Sequence, residues 1–78
     1  MTFQARLKIA MRKGNLRVSD LARWFGRRHS TIRGWVIDGR EPAGTSFDRA
    51  GLESLLDQLM LHVVRFGKKS RVYIKSDD

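Results

Sequence analysis

No cysteine occurs among the 78 residues, which removes both a disulfide framework and any thiolate metal site from consideration. Acid is scarce as well: 8 Asp and Glu stand against 16 Lys and Arg, a formal charge of +8 at neutral pH. Apolar runs are short. The longest, Leu59 to Val64, is interrupted by His62 and falls far below the length of a membrane span. The N-terminus threads Arg6, Lys8, Arg12 and Lys13 through its apolar residues, where a signal peptide would keep an apolar block apart. These absences point to a soluble cytoplasmic protein with no membrane partner. Catalytic apparatus is equally thin. His29 and His62 are the only histidines, the carboxylates form no pair, and neither a glycine-rich phosphate loop nor a metal-ligand spacing appears. A non-enzyme is expected, with no cofactor, no metal and no small-molecule ligand.

What is present is cationic charge, unevenly spread. Residues 1–40 hold ten Lys and Arg against Asp20 and Asp38, a local +8. Residues 41–64 set Arg49 against Glu41, Asp48, Glu53 and Asp57, a local −3, and the last fourteen residues return to +3. A clustered excess of cations attracts polyanions through phosphate contact and counterion release. The basic segments lack the long amphipathic face with aromatic anchors that a membrane surface would select.

Periodicity predicts a mainly α chain forming a single domain over residues 1–78, built from four to five helices. In the first helix Phe3, Leu7, Ala10 and Met11 share one face, Thr2 is a candidate N-cap, and Gly14-Asn15 supplies a left-handed end. A second helix spans Val18 to Phe25, with Ser19 as expected N-cap, Asp20 in the first turn, and Leu21, Ala22 and Phe25 inward. Gly26 stops it. A third begins near His29 or Ser30 and runs to about Asp38, with Ile32 and Trp35 inward, Gly39 as its stop and Pro42 barring continuation. Trp24 lies off the inward face of the second helix, where it can pack on the first helix, meet a phosphate through its indole N–H, or cover a partner.

Leu21, Ala22, Phe25, Gly26, Ile32 and Trp35 resemble the helix-turn-helix pattern of the phage repressor and Cro (lambda-repressor-like) class. The motif covers 18–38, and the segment through Pro42 resembles the stretch after the recognition helix in that class. Ala22 is small where two helices must approach closely. The pattern departs at Arg27, where that class places an apolar residue; the aliphatic stem of Arg27 is expected to cover the core while its guanidinium reaches outward. The resemblance implies that the third helix enters a DNA major groove. Arg28, His29, Ser30 and Arg33 are then the expected base contacts, Arg33 foremost because a guanidinium can donate two hydrogen bonds to the O6 and N7 of guanine. Arg17, Ser19, Arg27 and Arg40 are the expected phosphate contacts.

A fourth helix is predicted from Phe47 or Asp48 to Phe66, capped by Thr45 or Ser46. Leu52, Leu55, Leu56, Leu59, Met60 and Val63 make a regular stripe, widened by Leu61 and Val64. That stripe is broader than a small three-helix unit covers. Leu59, Met60 and Val63 are therefore expected at a homodimer surface. Arg71 to Lys75 alternates, with Val72 and Ile74 on one side, which predicts a short C-terminal β-strand that either pairs with its symmetry mate, the favoured reading, or stays a disordered basic tail on phosphate. Helix four, 47–66, and the tail, 67–78, thus form the expected dimerisation region, and Asp77-Asp78 is expected to fray.

The function expected from these readings is a sequence-specific transcriptional regulator on double-stranded DNA, a small dimeric repressor of phage or mobile-element type acting on an inverted repeat in the nucleoid of a bacterial host. Two alternatives stay open: an architectural DNA binder of excisionase or MerR-like type, and an antitoxin or polymerase-binding module working through the leucine stripe.

Overall fold

A computed structural model describes residues 1–42 and 46–74. Four helices form: α1 Phe3–Gly14, α2 Val18–Phe25, α3 His29–Val36 and α4 Ser46–Phe66. A 3-10 turn at Gly67–Lys69 and a single helical turn at Ser70–Ile74 follow. Thr45, Lys75 and Asp77-Asp78 lie outside the described residues, as does the side chain of Ser46.

The boundaries follow from local chemistry. The hydroxyl of Thr2 accepts the Ala5 N–H at 3.1 Å and caps α1, and Asn15 ends that helix in the left-handed region at φ 53°. Gly14 serves a different purpose from the expected one. It is helical and buried, and a methyl group built on it would stand 2.7 Å from Val63 Cγ1, so it is needed for close packing of α1 on α4. The cap of α2 is also one step from expectation. Arg17, not Ser19, is the N-cap residue, and Asp20 reaches back to accept the Arg17 N–H at 2.8 Å. Gly26 closes α2 at φ 66°, a conformation glycine takes without steric cost. The end of α3 is tied off by Gly39 at φ 71°, by an Arg40 N–H to Gly34 carbonyl bond of 2.9 Å, and by Gln4, whose amide donates to the Val36 carbonyl at 2.7 Å.

Packing converges on aromatic contacts. Trp35 is buried and meets Phe3 and Phe25 edge-on at 5.4 and 5.7 Å between ring centres, the geometry that aromatic quadrupoles favour. Around them lie Leu7 and Ala10 of α1, Leu21 and Ala22 of α2, and Ile32 of α3. Trp24 belongs to the scaffold too. Its indole N–H donates to the Leu55 carbonyl at 3.0 Å and its ring centre lies 5.1 Å from that of His62, so it joins α2 to α4 and has no N–H left for a phosphate.

Two expectations about the C-terminal half are corrected. The leucine stripe is covered within one chain: Leu59 is 0% exposed and Val63 1%, buried with α1 and the C-terminal turn, so neither is available to a partner, and Met60 is half-buried against the same core. The described part of the predicted strand, through Ile74, is a helical turn. Ser70 and Ile74 point inward and are buried, Ser70 Oγ donates to the Gly67 carbonyl at 2.6 Å, and Arg71 Nε lies 3.2 Å from the buried Asp20 carboxylate. Inward positions four residues apart suit a helix, and a lone strand would leave its backbone groups without a ladder. Val72 stays exposed, while Ile74, expected at the dimer interface, is in the core. No strand forms among the described residues, and none of the helices among them is long and apolar enough to cross a membrane.

Candidate nucleic-acid interface

The expected contact residues lie on α2, on α3 and in the segments that flank them. Ile32, Trp35 and Val36 anchor α3 inward, which leaves Ser30, Arg33 and Ile37, spaced three and four residues apart, on its outward stripe with His29 beside them. His29, Ser30, Arg33 and Ile37 are all exposed, as are Arg27 and Arg28. Arg17 is exposed before the start of α2, and Ser19 is exposed within its first turn.

A cleft of about 420 Å³ runs along one flank of α3, lined by Arg27, Ser30, Thr31, Gly34, Trp35, Arg40, Glu41 and Leu52. It joins Arg27 and Ser30 to Arg40, ten residues beyond Ser30 in the chain. Arg27 is exposed and lines this cleft together with Trp35 and Leu52. Arg40 lies along α3: a methyl group built on Gly34 would sit 3.4 Å from Arg40 Cδ.

The arginines around α2 and α3 have few acids near them. Arg17, Arg23, Arg27, Arg28, Arg33 and Arg40 make no ion pair among the described residues. The one acid on α2, Asp20, is buried and engaged by Arg71. Arginine, moreover, occupies the N-cap of both α2 and α3. A guanidinium has no acceptor to offer the free amides of a helix start, and the dipole there disfavours a cation. Serine, threonine, aspartate or asparagine would stabilise either position. Asp20 meets the Arg17 amide at the start of α2, whereas α3 begins with no side-chain cap and no acid in its first turn, an arrangement suited to an external anion.

Three residues near the face escaped the sequence reading. Gly34 sits mid-helix, where glycine costs about 1 kcal/mol relative to alanine; that cost was the available signal of close approach. Thr31 adds a hydroxyl to the cleft. Ile37 extends the outward stripe with an exposed apolar tip, which only the inward pointing of Ile32 and Trp35 reveals. The expected dimer contacts, by contrast, are not brought together on a surface. Compared with protein-family models, curated proteins and solved structures, the chain matches none.

Proposed function

We propose that the chain is a sequence-specific DNA-binding transcriptional regulator, a small dimeric repressor that lays α3 in the major groove as the second helix of a helix-turn-helix and occupies an inverted-repeat operator. The observation that carries this reading is the concentration of arginines without ion-pair partners among the described residues around two short helices, the second of which begins with no side-chain cap and no acid in its first turn. Phosphates would supply both the missing acceptor and the missing negative charge.

In this arrangement Arg33 reads guanine from the centre of the outward stripe, and Ser30, His29 and Arg28 reach neighbouring bases near the start of α3. Ile37, farther along, suits the methyl group of thymine. Arg17, Ser19, Arg27 and Arg40 hold the flanking phosphates and set the register without carrying sequence information. The domain measures 32 × 28 × 22 Å, so two copies side by side are of the right size to span successive major grooves, roughly 34 Å apart.

The test is selection of a binding site from random duplexes, followed by comparison of Arg33→Ala with Arg27→Ala on the selected site. Arg33→Ala is expected to cost about 1–3 kcal/mol and relax preference at one base pair, whereas Arg27→Ala weakens all sequences alike and lowers the salt dependence. An Arg33→Ala protein with full affinity and unchanged preference would overturn the assignment.

A further inference from the structure

We propose that the outward face of α4 is a self-complementary docking surface for a second copy of this chain, centred on Leu61 and flanked by Asp57 and Arg65. The proposal deepens the dimeric part of the proposed function and depends on it only for its use on DNA.

With Leu56, Leu59 and Val63 buried on one side of α4, the opposite side carries Asp57, Leu61 and Arg65 in a row four residues apart. Leu61 is 71% exposed and its neighbour Val64 70%. They are the large apolar side chains that the leucine stripe places outside the core. Asp57 is 72% exposed and makes only a loose contact, 3.7 Å, with Arg6, which is also held by Glu53. Arg65 is exposed, with its guanidinium resting 5.3 Å from the centre of the Phe66 ring, and forms no ion pair among the described residues.

The order acid, leucine, base reads as its own complement when reversed. A two-fold axis through Leu61 would bring two α4 helices together antiparallel. Leu61 then meets Leu61 of the partner subunit on the axis, and Asp57 faces the partner's Arg65, about 6 Å to either side at 1.5 Å rise per residue. Each ion pair occurs twice, as an isologous interface requires. Gln58 falls opposite the partner's Val64 and Ser54 opposite the partner's Lys68, so no like charges meet in this register.

Charge complementarity also favours a second copy over a foreign segment. The chain as a whole is strongly cationic, and random encounters between copies are repulsive. Only a register that opposes the acidic middle of α4 to its basic end brings two copies together without that penalty. Such self-selection fixes one dimer geometry, which a reader of an inverted repeat needs.

Sedimentation equilibrium on the whole chain tests this, with helical content by circular dichroism as the check on folding. The wild type is expected to approach twice its 9.0 kDa as concentration rises. Leu61→Lys should remain at 9.0 kDa. Asp57→Arg and Arg65→Asp should each weaken dimerisation about tenfold or more, because like charges then face each other across the axis. The double variant Asp57→Arg with Arg65→Asp should recover dimerisation. A wild type that stays monomeric at every accessible concentration, or a folded Leu61→Lys that still dimerises, overturns the proposal; so does a double variant no better than the single ones. Binding to an isolated half-site, measured in parallel, separates the two readings. Leu61→Lys should keep wild-type half-site affinity, and absence of DNA binding by a wild type that dimerises through Leu61 would remove the DNA reading while leaving this surface standing.

Discussion

Nine of the eleven arginines of this chain fall into two populations that differ in surroundings, not in chemistry. Along α4, Arg49 donates to Glu41 at 2.9 Å and Arg6 is held by Glu53 and Asp57. Arg71 of the C-terminal turn locks onto Asp20. Around α2 and α3, six arginines have no such partner among the described residues, and two of them occupy cap positions where they oppose the helix dipole. A guanidinium beside a carboxylate is committed to the fold. One that lies exposed without a counterion contributes little to stability and remains available for a ligand. The contrast separates scaffold from face more sharply than net charge does.

The largest expected effect comes from the scaffold. Leu59→Ala should lose about 2–5 kcal/mol of unfolding free energy, read from the midpoint and slope of urea denaturation. A small loss in stability accompanied by a loss of dimer mass would instead return Leu59 to a subunit interface. Next comes the lock between α2 and the C-terminal turn. Asp20→Ala removes the acceptor of the Arg17 N–H and the partner of Arg71, and is expected to cost about 1.5–3 kcal/mol, in the range for hydrogen bonds to charged groups. Arg33→Ala in the same assay should stay within about 0.5 kcal/mol of wild type; equal losses from the two would erase the distinction between the populations. One effect has the opposite sign. Arg28→Asp places an acceptor at the start of α3 and should raise stability by about 0.5–2 kcal/mol while lowering DNA affinity. A variant that gains stability and loses no affinity would show that the uncapped start of α3 is not used.

Much of the helical framework is legible in the sequence because it rests on local signals. Thr2, Asn15, Gly26 and Gly39 mark helix ends through backbone and side-chain chemistry that acts over three or four residues. Trp35 and Ile32 announce the inward side of α3 by spacing alone. The tail misleads for a related reason: Val72 and Ile74 alternate, yet five residues are too few to distinguish a strand from a helical turn when Ser70, Arg71 and Ile74 also fit a helical face. The deciding contact, Arg71 with Asp20, joins residues 51 positions apart and leaves no trace in local periodicity. The same limit explains Arg17 displacing Ser19 at the cap of α2. The two are close candidates, and the reach of Asp20 back to the Arg17 amide selects between them.

The helical character of the chain, the places where its main turns fall, and the crowding of its cations into the segment carrying α2 and α3 are all properties of neighbours along the backbone, and the amino-acid order suffices to dictate them. Which leucines are core and which are surface is a matter of packing, because a stripe on α4 has no inward side until α1 and the C-terminal turn meet it. That packing buries Leu59 and Val63, leaves Leu61 and Val64 outside, and sets the arginines paired with distant carboxylates apart from those left open around α2 and α3.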